Sequence, residues 1–239
     1  MHVQLFIPCF VDQLYPETGM NMVKVLEKLG CKVSFNSKQT CCGQPAFNAG
    51  FWDEARAVAR KFLNDFSGDG YIVAPSGSCT GYARNYFDKL FENSPEHNSS
   101  NQVRKRMYEF TEFLTEVLKA ENVGAKLEGK ATYHDACGAL RECGIKEGPR
   151  KLLAHVKGLE LVEMKEAETC CGFGGTFAVK YEPISVGMAQ TKVSSALETG
   201  ANYMITTDVS CMMHMQGYID KNNLSMRTMH IADVLASGW

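Results

Sequence analysis

The chain has almost no excess of charge of either sign: 25 Lys and Arg stand against 27 Asp and Glu, for a net charge of −2 at pH 7. That near balance excludes the basic footprint on which phosphate-backbone binding depends, and it leaves nothing to hold the protein at an anionic lipid surface. Long apolar runs are also missing, none approaching the roughly 18 residues needed to span a bilayer. The opening, MHVQLFIPCF, has neither the basic region nor the length of a secretory signal. A further absence is the G-x-G-x-x-G spacing after a strand, with an acidic residue downstream, that marks a dinucleotide site. Nucleic acid, a membrane span and a hydride cofactor are therefore not expected, and the chain reads as cytoplasmic.

What the sequence has in quantity is cysteine, ten residues of it in 239. A reducing cytosol makes structural disulfides rare, so metal binding or redox chemistry is the reason to keep so many thiols. The hydrophobic fraction of 45% and charged fraction of 22% are those of an ordinary globular chain. Its length accommodates two halves of roughly 120 residues, each able to contribute a core.

The cysteines repeat in order. Cys9, the pair Cys41 and Cys42 followed by Gly43, and Cys79 recur as Cys137, the pair Cys170 and Cys171 followed by Gly172, and Cys211. The offsets are 128 residues for the first, 129 for both members of the pair and 132 for the last. An internal duplication accounts for such spacing, with the halves divided as 1–125 and 126–239 and the junction in residues 122–130.

Elements alternate around these cysteines. VQLFIP (3–8) and KATYH (130–134) read as first strands, CKVSFN (31–36) and LELVEM (159–164) as second strands, and YIVAPSG (71–77) and YMITTD (203–208) as third strands. Between them MNMVKVLEKLG (20–30) places Met22, Val25, Leu26 and Leu29 on one helical face and stops at a glycine. Residues 51–66 and 183–200 read as second helices, 92–102 as an exposed loop, 103–118 as a helix closing the first half, and 229–239 as the helix closing the second. Strands alternating with helices imply an α/β fold: two tandem, pseudo-repeated Rossmann-like halves with parallel strands and flanking helices. Every repeated cysteine then follows a strand or precedes a helix, where such sheets place their binding loops.

Soft thiolates suit iron-sulfur clusters and zinc. Adjacent cysteines are awkward ligands for one zinc, whose usual spacing leaves two to four residues between them, whereas a multi-iron cluster can take neighbouring thiolates on different irons. The glycine after each pair and the run GFGG (172–175) permit positive backbone torsions and bring amide donors close to a negatively charged group. Candidate ligands are thus Cys9, Cys41, Cys42 and Cys79 for one centre and Cys137, Cys170, Cys171 and Cys211 for a second. A 4Fe-4S cluster in each half is the first expectation and zinc the alternative. Cys31 and Cys143 have no counterpart and read as small apolar residues. His134 and Asp135 read either as a proton-handling pair or as residues that orient the ligand loop.

Two copies of cysteine, CCG and a further cysteine resemble the cysteine-rich CCG domains found in heterodisulfide reductase, in the iron-sulfur subunit of glycolate oxidase and in the lactate utilization protein A group. The resemblance covers nearly the whole chain, and SGSC (76–79), CCGFGGTFAVK (170–180) and DVSCMM (208–213) look most like the lactate utilization protein A branch. It implies an iron-sulfur electron-transfer component of a complex that oxidises L-lactate to pyruvate, working with other subunits of a lactate utilization assembly as part of an oxidoreductase. In the heterodisulfide reductase pattern each motif ends in CxxC, but Tyr82 and His214 stand where the fifth thiols would be. That departure points to electron transfer rather than disulfide cleavage, with His214 either a substitute ligand or a helix residue. A thiol-disulfide oxidoreductase and a non-catalytic zinc protein are the rival functions.

Overall fold

Short apolar runs, each followed by an amphipathic segment, build two four-stranded sheets in the computed structural model, which describes all 239 residues. The first half runs β1 (His2–Leu5), α1 (Cys9–Leu14), α2 (Pro16–Lys28), β2 (Lys32–Phe35), α3 (Gln44–Asn48), α4 (Trp52–Asp65), β3 (Tyr71–Ala74), α5 (Gly77–Leu90), α6 (His97–Arg106) and β4 (Met107–Glu109). It closes with α7 (Phe110–Glu112), which passes into a π-helical turn at Phe113–Val117. The second half runs β5 (Lys126–Tyr133), a π-helical turn at Gly138–Glu142, α8 (Glu147–Ala154), β6 (Lys157–Leu161), α9 (Thr176–Lys180) and α10 (Glu182–Leu197). It ends with β7 (Tyr203–Thr206), α11 (Val209–Lys221), β8 (Arg227–His230) and α12 (Ile231–Leu235).

The strand orders are β2-β1-β3-β4 and β6-β5-β7-β8, with every pairing parallel. In such an order the chain reverses direction across the sheet beside β1 and β5, and a crevice opens at the carboxyl ends of β1 and β3, and of β5 and β7. The first, second and third strands lie where the alternation predicts. α2 buries Met22, Val25 and Leu26 and is followed by Gly30 at φ 79°.

Three expectations need correction. The loop at 92–102 is partly helical, since α6 begins at His97. The helix at 103–118 is broken by β4, which adds to β3 with Met107 opposite Ile72. Three residues are too few to show a strand period, and α6 buries only Ser100 and Val103, so neither element has a legible stripe. Likewise the closing segment at 229–239 begins as strand: Met229 and His230 belong to β8, and only Ile231–Leu235 is helical.

Each half has an outer core of its own. Phe6, Phe62, Phe66 and Phe87 are central to the first, and Met204, Met215, Val193 and Ile219 to the second. Between them lies a core of 22 buried residues drawn from both halves, in which Val3, Met22 and Phe110 meet Ala131, Leu152, Ile205 and Ile231. Thr18 and Asn21 on α2 donate to the Asp233 carboxylate on α12, at 3.0 Å each, across the same boundary. The closest approach is between α5 and the π-helical turn at Gly138–Glu142. A Cβ on Gly81 would overlap Glu142 Cβ, and one on Gly77 would lie 2.5 Å from Ala139 Cβ. Glycine at 77 and 81, one helical turn apart, is what lets the two backbones meet.

Gly81→Val should therefore force the halves apart and cost about 1–3 kcal/mol, read as a lowered midpoint of urea unfolding at unchanged slope. Gly217→Val, on a helix face with nothing within 4 Å, provides the comparison and should leave the midpoint unchanged or slightly raised, since valine is the better helix former.

Candidate metal centre

The cysteine loops are arranged alike in both halves. Cys9 opens α1 directly after β1, Cys41 and Cys42 follow β2, and Cys79 sits in the first turn of α5. In the second half Cys137 precedes the π-helical turn, Cys170 and Cys171 follow β6, and Cys211 sits in the first turn of α11. Both final cysteines thus sit at helix amino ends, among backbone N–H groups without intrahelical partners. Gly43 and Gly172 have φ 93° and 96°, and each donates its N–H at 3.4 Å to the sulfur of the first cysteine of its pair, Cys41 and Cys170. This left-handed turn is what swings both thiols of a pair toward one point. A side chain at Gly172 would also strike Ser185 O at 2.6 Å.

All eight repeated cysteines line a single cavity of about 540 Å³ between the halves. The Cys9 and Cys41 sulfurs are 4.0 Å apart, and the Cys42 and Cys79 sulfurs 3.5 Å. In the second half the sulfurs of Cys171 and Cys211 and one ring nitrogen of His134 lie within 4.8 Å of one another. None of the ten cysteines is in a disulfide. Cys31 belongs to the central core, and the Cys143 thiol, pushed up to about 12 by burial, donates to Gly77 O at 3.6 Å; neither lines the cavity.

The crowded thiols share protons unequally. Cys41 is held well below the usual thiol range by hydrogen bonds from Cys42 and Cys9, and Cys170 by those from Cys137 and Cys171. Their donors Cys9, Cys42, Cys137 and Cys171 are pushed up by the same bonds and by burial. The fold thus stabilises a thiolate at the first position of each CC pair, and a metal that displaces the remaining protons would satisfy the others. Soft donors at these separations suit a thiolate-bound metal group.

The halves join at the cavity floor. Ser76 and Asp208, at the ends of β3 and β7, form an isolated antiparallel bridge. One Asp208 oxygen accepts from Ser210 Oγ (2.6 Å) and its N–H, capping α11, and the other accepts the Ser78 N–H at 3.0 Å from the opposite half. Phe10 and Phe173, each beside a ligand loop, meet edge to face at 5.7 Å.

The remaining candidates separate by role. Asp135 is fully buried in a bidentate pair with Arg150 (2.7 and 2.8 Å), whose guanidinium also bonds Glu163, so it is not paired with His134 for proton handling. His214 Nε2 lies 3.1 Å from Ser185 Oγ, which donates to Gly172 O at 2.8 Å; the histidine buttresses the CCG turn. Tyr82 is buried among Phe47, Tyr86 and Phe87. Sequence reading missed Lys192, which is fully buried and donates to the carbonyls of Glu166 and Ala167 just before the second CC pair. Its signal was a lysine on the apolar stripe of α10 beside Ala189, Val193 and Ala196. Asp208 and Ser76 carry the signal of helix caps, each three residues ahead of the final cysteine of its half.

Comparison with known proteins follows the duplication. The model of the family described as "Cysteine-rich domain" (CCG) matches residues 3–82 and again 131–216. A curated relative, "Lactate utilization protein A" of Geobacillus kaustophilus (strain HTA426), is 45% identical over 236 residues, covering 98% of each chain. "Lactate utilization protein A 1" of Bacillus mycoides (strain KBAB4) is 45% identical over 237 residues, covering 98% of this chain and 96% of the relative. Among solved structures, a hypothetical protein from Helicobacter pylori has a TM-score of 0.57 at 12% identity, covering 98% of this chain and 48% of that one, which is a likeness of fold.

Removing Arg150 should leave Asp135 as an uncompensated buried charge: Arg150→Met is expected to cost about 3–5 kcal/mol of stability, measured by urea unfolding. The double variant with Asp135→Asn should regain part of that loss.

Proposed function

The chain belongs to the CCG cysteine-rich domain family, within the lactate utilization protein A group, and from that premise we propose that it is an iron-sulfur electron-transfer component of an L-lactate-oxidising assembly. The observation that carries the reading is the convergence of eight thiols, from both halves, on one cavity. Cys9, Cys41, Cys42 and Cys79 would hold one 4Fe-4S cluster, and Cys137, Cys170, Cys171 and Cys211 the other. A bound 4Fe-4S cluster takes up and releases single electrons.

The chain's own residues supply what that chemistry needs. The N–H groups of Gly43 and Gly172 donate to coordinating sulfur and so help set its electron affinity. Asp208 ties the loops of the two halves together and keeps the two ligand sets on facing walls of one cavity. Phe10 and Phe173 cover part of that wall with apolar surface and exclude water. Lactate oxidation releases two electrons and two protons, and the chain has no hydride-cofactor fingerprint, so the partner proteins would carry out that oxidation and pass electrons on singly. The cavity is bordered by α9, where Val179 is 84% exposed, and this rim suits a partner. Tyr82 in its aromatic cluster and His214 on Ser185 leave no fifth thiol for a substrate-binding cluster, which favours electron transfer over disulfide cleavage.

Iron and acid-labile sulfide assays with electron paramagnetic resonance on anaerobically purified protein test this directly. We expect about eight iron per chain for two 4Fe-4S clusters, and Cys171→Ser should lose iron from one of two distinguishable signals. Zinc in place of iron, or equal loss of both signals, would overturn the assignment. Disulfide substrates should be turned over negligibly by the reconstituted protein.

A further inference from the structure

His134, buried behind the cavity lining and beside the Cys171 and Cys211 sulfurs, breaks the duplication. Its counterpart is Phe6, as the backbone shows: Phe6 N–H donates to Val73 O on β3 at 3.0 Å, and His134 N–H donates to Ile205 O on β7 at 2.8 Å. Each stands three residues before the first cysteine of its half. Phe6 packs against Phe62 with ring centroids 4.8 Å apart and needs nothing more. His134 is fully buried, and neither ring nitrogen meets a partner at full hydrogen-bonding geometry, although the Ala167 carbonyl comes near the ring. A buried imidazole left so is costly, and folded proteins pair such groups.

The other histidines drawn into the interior obey that rule. His230 is as deeply buried, and both its nitrogens are used: Nδ1 accepts from Ala232 N–H at 3.1 Å, and Nε2 lies 3.2 Å from Pro75 O. His214 is matched to Ser185. His134 alone among the buried histidines lacks a partner at full geometry, and what it faces is sulfur: one ring nitrogen is within 4.8 Å of both the Cys171 and Cys211 sulfurs. Asp135, next in the chain, is committed to Arg150 and cannot serve it.

We propose that His134 supplies an imidazole nitrogen to the metal centre of the second half, beside Cys171 and Cys211, so that the two halves hold inequivalent centres. This rests on the reading that the second half binds a metal group, but not on that group being an iron-sulfur cluster. Neutral imidazole offers one lone-pair nitrogen to a metal, and nitrogen and sulfur donors combine readily on iron and zinc. The first half, with Phe6 in this place, has sulfur ligands only. Imidazole adds no negative charge to the second centre, whereas a thiolate in its place would add one and lower the reduction potential.

The test begins with metal analysis of the anaerobically purified full chain. If iron and sulfide are present, pulsed electron paramagnetic resonance on dithionite-reduced protein should show a strong nitrogen coupling that changes when histidine is labelled with ¹⁵N. The coupling should vanish in His134→Phe, which recreates the first-half arrangement. His134→Cys should keep the metal, lose the nitrogen coupling and lower the potential of one centre only, a rescue that loss of folding would not produce. Iron without histidine coupling, or coupling that persists in His134→Phe, overturns this proposal and leaves the electron-transfer reading standing. Zinc in place of iron overturns that reading instead; the proposal then stands if His134→Phe lowers zinc per chain, and falls if zinc is unchanged. A chain that takes up no metal on reconstitution rejects both.

Discussion

Asp208 sits where the two halves of the chain meet, and its two oxygens face different ways. One caps its own helix, α11, while the other accepts a backbone N–H from Ser78 in the opposite half. Because the carboxylate is buried, both bonds are made in a low-dielectric setting where an unmet partner is expensive. The carboxyl ends of β3 and β7 are thereby pinned against each other, and Cys79 and Cys211, in the first turns of the helices that follow, are carried to facing walls. The single cavity is a consequence of this pairing, as is the close packing of Gly77 and Gly81 on the neighbouring π-helical turn.

Duplication has kept some features and let others drift, and the division follows geometry. The CCG turns are held alike, with the same positive φ and the same 3.4 Å N–H to sulfur contact, because only glycine can bring adjacent thiols to one point. Lysine braces the approach to both turns: Lys61 reaches Lys38 O at 2.6 Å from a partly exposed position, and Lys192 reaches Glu166 O and Ala167 O from a buried one. Behind the ligands the halves diverge. The first presents aromatic rings, Phe6 on Phe62, while the second presents His134, with Lys192 near enough that its charge helps burial hold the imidazole neutral. Two cysteine sets with one loop plan thus have different surroundings.

Much of this was legible in the residues. The eight cysteines, their order and the strand-loop-helix placement of each could be read from spacing alone, since a repeated loop position is a local property of the chain. β4 and β8 were not legible, because Met107–Glu109 has only three residues and Arg227–His230 carries no apolar run, and both are strands through pairing with β3 and β7. Asp135 illustrates the same limit within the site. Its neighbour in sequence is His134, but its partner is Arg150, fifteen residues away on α8, and no spacing rule links them.

Sequence alone determined the duplicated α/β plan, the eight thiols and the glycine turns that aim them, because each depends on the chemistry of a few neighbouring residues. Only the tertiary structure decided that the two cysteine sets share one cavity, that His214 supports a turn while His134 faces sulfur, and that a lysine is buried beneath the second pair. These depend on how the halves dock and which side chains that docking deprives of water. A polar group's role is set by the partners left to it once solvent is excluded, and those partners come from distant parts of the chain.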